Sequence, residues 1–373
     1  MNLIFHITTY KAWARTMQAD GYETASLQRE GFIHCSTRDQ VVGVANSVFH
    51  GERGLVLLCI DANQVAAEIR YEDCYETGKK FPHIYGALNR DAVVQVLSLI
   101  PDTDGKFALP AALAQGPPSL RCKYPILEFD PAEQALIEPR NLFQPIDIAE
   151  RCVLCFFQDV LAGLTEQGRL TLVRNLGSEI GDNPLYEMEV DGRRLAVFHP
   201  GVGAPLAAAF MEELIALGCR KFIICGGAGV LDGGLGLGHI IVPATAVRDE
   251  GTSYHYLPPS REVAASADGV EAIEKVLQRD NVDYVIGKTW TTDGVYRETA
   301  DKIRLRRAEG CITVEMESAA FFAVARFRGV IAAQILYGGD DVSSEEWDSR
   351  HWQQQASVRE KIFWLAAEAC MQL

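Results

Sequence analysis

Four acids near the C-terminal end of the chain have the types and spacing to do chemistry. Val314-Glu315-Met316-Glu317 sets two carboxylates around a methionine where an apolar helix should begin, and Gly339-Asp340-Asp341 sets two adjacent acids just beyond an apolar strand. A carboxylate can accept hydrogen bonds from a sugar diol. A carboxylic acid with a raised pKa can protonate a leaving group, and adjacent acids raise one another's pKa. Glycine-rich strings add a place for an anion. His199-Pro200-Gly201-Val202-Gly203-Ala204-Pro205 stands before an expected helix and Gly226-Gly227-Ala228-Gly229 follows an expected strand. Glycines there let backbone N–H groups approach a negative ligand at a helix N-terminus. Two more strings, 248–256 and 290–298, are dense in donors and aromatics and also follow strands. Each string alone reads as caps, turns or solvated acids. Together they cluster at strand ends, where α/β folds bind ligands.

The elements that must position these groups are written in the hydrophobic pattern. Strands expected at 152–157, 195–199, 222–225, 239–246, 284–288 and 330–336 alternate with helices at 205–217, 269–278, 318–326 and 357–371. In the first of these helices Leu206, Phe210, Leu214 and Leu217 recur every three or four residues, as one buried helical face requires. Alternation of this kind predicts an α/β fold with a mostly parallel central sheet. Earlier in the chain, strands at 3–8 and 55–60, helices at 11–19 and 38–49, and helical spacing at 91–99 predict a smaller α+β domain. Gln115-Gly116-Pro117-Pro118-Ser119 cannot continue a helix or a central strand. The expected division is therefore 1–112, a linker at 113–125, and 126–373.

Composition excludes several classes. The 373 residues, 48% hydrophobic and 23% charged, suit folded domains with full-sized cores. A net charge of −15 argues against a nucleic-acid partner, which needs a basic footprint. No apolar run reaches the roughly 18 residues of a membrane span, and Met1-Asn2-Leu3-Ile4-Phe5-His6 has no basic region ahead of an apolar one. A cytoplasmic protein is expected. The ten cysteines are scattered through apolar strings, as free thiols are in a reducing compartment. Cys152 and Cys155, three apart on a strand, should face opposite ways and hold no metal.

The 201–203 and 226–229 glycines, Val314-Glu315-Met316-Glu317 and Gly339-Asp340 resemble the nucleoside phosphorylase/nucleosidase superfamily, which includes purine nucleoside and uridine phosphorylases. The resemblance covers roughly 150–373 and implies a three-layer α/β/α domain, usually oligomeric, that cleaves the N-glycosidic bond of a nucleoside. By the same resemblance Glu317 holds the ribose hydroxyls, with Met316 and Glu315 beside the sugar. Thr292, Asp293 and Tyr296 lie near the base, and Asp340 is the general acid, with Asp341 as the alternative one residue on. Gly203, Gly227, Arg297 and Arg140 are the phosphate-binding candidates, and inorganic phosphate as co-substrate is the only cofactor implied. The chain departs from the pattern where it matters for phosphate. Ile224 stands where the phosphorylases carry an arginine, Gly227 replaces a hydroxyl, and only Glu138-Pro139-Arg140 hints at the early Gly-Asp-Pro-x-Arg motif. Phosphorolysis is the leading expectation. Hydrolysis by water and nucleoside sensing without turnover stay open.

Gly31-Phe32-Ile33-His34-Cys35-Ser36, Phe81-Pro82-His83-Ile84-Tyr85-Gly86 and the string around His6 each bury a histidine among apolar residues. With Ala45-Asn46 and 55–61 they resemble the DUF952 family, a small domain related to the ADP-ribosyltransferase-like fold. That relation implies a cleft with His6, His34, Ser36, His83 and Tyr85 around an NAD- or ADP-ribose-like ligand. Read as residues alone, the histidines are hydrogen-bonded core side chains. Their spacing fits no short metal-ligand motif, and no metal is expected.

Overall fold

A computed structural model describes residues 2–15, 21–74, 78–114, 120–344 and 346–373. The chain divides into two compact units, Met1–Ser119 and Leu120–Leu373. Of the expected linker, 115–119 lie outside the described residues, as do 16–19 of the expected first helix.

The N-terminal unit runs β1 (Leu3–Thr9), α1 (Tyr10–Arg15), α2 (Ala25–Glu30), β2 (Ile33–His34), α3 (Arg38–Val48), β3 (Leu55–Asp61), β4 (Glu68–Glu72), β5 (Phe81–Tyr85), β6 (Val93–Leu99) and α4 (Ala111–Ala114). It holds two antiparallel three-stranded sheets, ordered β1-β3-β6 and β2-β5-β4. β3 is buried along its whole length because both its faces are covered. Val56, Leu58 and Ile60 enter one core and Leu55, Leu57 and Cys59 the other, the two-residue period of a strand. The helical spacing at 91–99 is overruled. Val93, Val94 and Val96 favour extended backbone, and this stretch completes the sheet beside β3, Leu97 opposite Leu57.

The C-terminal unit continues with α5 (Pro139–Leu142), β7 (Arg151–Cys155), α6 (Gln158–Glu166), β8 (Thr171–Ser178), β9 (Gly181–Val190), β10 (Arg193–Phe198), α7 (Ala204–Leu217), β11 (Lys221–Val230), β12 (Ile240–Asp249) and β13 (Glu262–Ala264). Then come α8 (Ala267–Arg279), β14 (Tyr284–Thr292), α9 (Ala300–Ala308), β15 (Cys311–Glu315), α10 (Ser318–Arg328), β16 (Ile331–Asp341) and α11 (Ala356–Gln372). One sheet of ten strands forms the middle layer. Its centre is parallel: β10-β7-β11-β16 on one side and β12-β14-β15 on the other. Antiparallel pairs lie at the β8-β9-β10 edge and at β13. Two more, β11 with β15 and β12 with β16, close β11, β16, β12, β14 and β15 into a ring. One face packs on α6, α8 and α11, the other on α7 and α10, giving three layers. Cys152 and Cys155 face opposite layers. No helix among the described residues is long and apolar enough to cross a membrane.

The strands outrun their expected ends. β11 continues through Gly226–Gly229, which the sequence suggested as a loop, because this stretch pairs with β16 from Leu336 to Gly338. Gly227 packs against an aromatic ring: a Cβ there would stand 3.0 Å from Tyr337 Cε1. β16 likewise carries Asp340 and Asp341 on its last residues instead of in a following loop.

Candidate functional site

The head of α10 is built around two carboxyls with different duties. Glu315 Oε2 accepts from the N–H groups of Glu317 (2.7 Å) and Ser318 (2.6 Å), while its Oε1 accepts from the Thr291 hydroxyl at 2.6 Å. It thus satisfies backbone donors that a helix start leaves open. This corrects the expectation that Glu315 meets the sugar: both its oxygens are engaged inside the protein. Glu317, 6% exposed, accepts from the Gly203 N–H at 2.6 Å. Burial, then the charge of Glu315, pushes its pKa up to about 8, against the pull of the Gly203 and Met316 N–H groups. Met316 between them is half-buried.

Asp340 is the residue before the last of β16. Its Oδ2 accepts from the Trp347 indole at 2.7 Å. A Cβ at Gly229 would stand 3.6 Å from Asp340 Oδ1 and 3.0 Å from Val314 Cγ1. Asp340 and Val314, three residues before Glu317, therefore both lie close to the bare backbone of Gly229. Asp341, the alternative acid, is engaged within the protein. Burial works to raise its pKa, but the Ser343 N–H (2.7 Å) and an ion pair with Arg350 outweigh it and hold the pKa below the ordinary value. Arg350 is anchored also to the Leu235 carbonyl at 2.9 Å.

Sequence reasoning missed Glu298. It is half-buried, and burial followed by the charge of Asp340 lifts its pKa to about 7. Its place in the 290–298 string was the only available signal, since tertiary approach to Asp340 makes it unusual.

The base-side residues separate. Thr292 is buried, its hydroxyl accepting from Gly294 N–H at 3.2 Å, so it shapes a turn. Asp293 is exposed and accepts from Gly251 N–H at 2.8 Å, tying the 248–256 string to the end of β14. Tyr296 is 96% exposed. Arg248 organises the loop it begins, donating to Ser253, Ser260 and the carbonyls of Leu257 and Pro258.

The phosphate candidates scatter. The Gly203 N–H is taken by Glu317, Gly227 faces Tyr337, and Arg297 is exposed near Tyr296. Arg140 is a correction. It pairs with Glu138 (3.5 Å), which also lies 3.6 Å from Arg328 at the far end of α10. That helix is 11 residues long, which puts its ends about 16 Å apart at ~1.5 Å per residue. Ile224 is buried in the α7/α10 layer.

The N-terminal unit has a cleft of about 800 Å³ whose walls include His6, His34, Ser36, Gln40 and His83. His6 is structural. Its Nδ1–H donates to the His34 carbonyl at 2.6 Å, and its Nε2 meets the Tyr22 hydroxyl at 2.9 Å. Burial lowers its pKa to about 4, so the ring is neutral. His83 stacks on Phe32 at 4.2 Å between ring centres, and His34 Nε2 pairs with Glu30 at 3.0 Å. Tyr85 does not line the cleft. It lies further along β5 and donates to Glu72 Oε2 at 2.6 Å.

Residues 150–365 match the model of the phosphorylase superfamily, and residues 7–96 match DUF952, a family of unknown function. The first match covers more than half of the chain, which belongs to the phosphorylase superfamily. Among its relatives are the guanosine phosphorylase of Halorubrum lacusprofundi, 28% identical over 176 residues (46% of this chain, 73% of that one). A uridine phosphorylase from Thermococcus kodakarensis is 30% identical over 160 residues, 39% of this chain and 57% of that one. The AMP nucleosidase from Bacteroides thetaiotaomicron shares the fold with a TM-score of 0.51 at 24% identity, over 62% of this chain and 90% of that one.

Proposed function

We propose that the C-terminal unit is an enzyme that cleaves the N-glycosidic bond of a nucleoside. The observation that carries this reading is the buried Glu317 at the head of α10, its carboxylate held by the Gly203 N–H in the glycine-rich string before α7. Glu317 grips the sugar diol, its carboxyl oxygens accepting hydrogen bonds from the two hydroxyls. Asp340 protonates the departing base, with the half-buried Glu298 beside it, an acid whose own pKa burial and the charge of Asp340 lift to about 7. Cleavage develops positive charge on the sugar, and buried acids answer that charge best where water is excluded.

Two nucleophiles fit. Phosphate, giving free base and ribose 1-phosphate, is supported by the likeness to guanosine and uridine phosphorylases. Water is supported by the arginines: Arg140 is drawn to the far end of α10, Arg350 is held by Asp341, and Ile224 is buried. Free base measured at one end-point in phosphate and in phosphate-free buffer separates them. Release in both buffers favours hydrolysis, release only with phosphate favours phosphorolysis, and nucleoside binding without release leaves a sensor. A homo-oligomer in which a second copy of the chain covers the exposed Tyr296 belongs to this reading. The N-terminal cleft, with His34, His83 and Ser36 on its walls, takes a related ribosyl or nucleotide compound.

A further inference from the structure

The β4–β5 hairpin gathers three different donors that the glycosidic reading does not use. Glu72 ends β4, Cys74 follows it in the turn, and His83 sits on β5. Cys74 Sγ is 3.5 Å from His83 Nδ1, Glu72 Oε2 is 3.8 Å from the same nitrogen, and all three donor atoms lie within 4.8 Å of one another. Zinc, with bonds of about 2.3 Å to sulfur and about 2.0–2.2 Å to nitrogen or oxygen, holds tetrahedral donors roughly 3.3–3.6 Å apart. The spacing is therefore one that small side-chain movements close onto an ion.

The surroundings favour the same conclusion. His83 is 1% exposed and its ring plane is fixed by stacking on Phe32, so Nδ1 is aimed before anything binds. The Tyr85 hydroxyl orients Glu72 by donating to Oε2, the outer hydrogen bond that metal-ligating carboxylates characteristically have. Asp73 pins the turn by accepting from Gly78 N–H at 2.6 Å. Cys74 is one of two exposed thiols, the other being Cys122, while the remaining cysteines are buried.

We propose that Glu72, Cys74 and His83 bind one divalent transition-metal ion of zinc's borderline softness, with a coordination position left for water or a ligand. A mixed imidazole, thiolate and carboxylate set suits zinc over the hard ions magnesium and calcium. Cys74 binds as thiolate and its proton passes to solvent. His83 also lines the 800 Å³ cleft, so the ion stands at the margin of that cleft. The inference is independent of the glycosidic reading.

The test uses the full-length protein freed of metal by a chelator and titrated with Zn²⁺ alone, then with Co²⁺ as a coloured substitute. One equivalent of Zn²⁺ should bind, and Co²⁺ should give the visible bands of a tetrahedral site together with a thiolate-to-cobalt charge-transfer band. Cys74→Ser should abolish the charge-transfer band, Glu72→Gln should weaken binding without abolishing that band, and Tyr85→Phe should weaken it about 10-fold. Cys122→Ser should change nothing. Circular dichroism checks that each variant is folded, and the exposure of Cys74 makes its variant a mild one. Absence of stoichiometric binding, or binding that survives both Cys74→Ser and Glu72→Gln unchanged, overturns the proposal.

Discussion

Burial acts on an acid in one unit and on a base in the other, and both end up neutral near pH 7. Glu317 is raised to about 8 and His6 is lowered to about 4, each chiefly because a charge is costly away from water. What differs is the partners. His6 has both ring nitrogens hydrogen-bonded inside the protein and is part of the scaffold. Glu317 is matched by the Gly203 N–H on Oε1 and stands at the end of a helix and beside strand ends. The same desolvation therefore yields a structural residue in one place and a candidate ligand-binding residue in the other.

The comparison breaks most visibly at Glu317. Glu317→Ala should lower kcat/KM on a ribonucleoside by at least ~100-fold, since two hydrogen bonds to a charged group contribute roughly 3 kcal/mol or more. A 2′-deoxyribonucleoside, offering one hydroxyl fewer, should lose less. Steady-state base release on both substrates checks this, and equal losses would place Glu317 away from the diol.

Asp340→Asn should reduce kcat by about 100-fold on purine substrates, in the range of a lost general acid, and by less on pyrimidines. Asp341→Asn should instead lower Tm with KM little changed, because it removes the Arg350 ion pair. If the two variants behave alike, the division of labour between these neighbours is wrong.

The pH response should run in opposite directions in the two units. His6 falls from 6.5 to about 4, so its contribution is present above pH 6.5 and is lost as pH falls toward 4. At about 1.4 kcal/mol per unit this amounts to roughly 3 kcal/mol. Glu317 rises from 4.5 to about 8, so folding favours its protonated form, and stability falls as pH climbs through that window. Amide hydrogen exchange in β1 and in α10, followed from pH 4 to 8, reads both trends. Glu317→Gln should flatten the α10 trend while leaving β1 unaltered.

The smallest expected effect is at Arg140. Arg140→Ala should leave phosphate dependence and kcat/KM within about 2-fold, and a larger loss would bring this residue back to the anion site.

Much of the C-terminal unit was readable because its strands and helices carry their own periodicity. The helix at 204–217 and the runs beginning β7, β11, β14 and β16 need no partner to be recognised. β8 and β9 escaped, since half-exposed residues such as Val173 and Tyr186 give a weak alternation. The 91–99 stretch misled, because its short apolar pattern fits helix and strand alike until β3 supplies hydrogen bonds. Among site residues, position in a motif favoured Glu317 and Asp340 but could not say what engages their neighbours Glu315 and Asp341. Nor could spacing join Glu72 to His83, which only the pairing of β4 with β5 brings together.

The sequence by itself determined the layer class, the strand ends at which acids gather and the family to which the chain belongs, because these depend on local periodicity and on residues close together in the chain. Only the tertiary structure decided which acid caps a helix, which is locked to an arginine and which is left near a bare glycine. Those outcomes depend on burial and on donors from Thr291, Gly203 and Arg350, residues 24, 114 and 9 positions away in sequence. A pKa is set by neighbours in space, and one chain's order of residues does not list them.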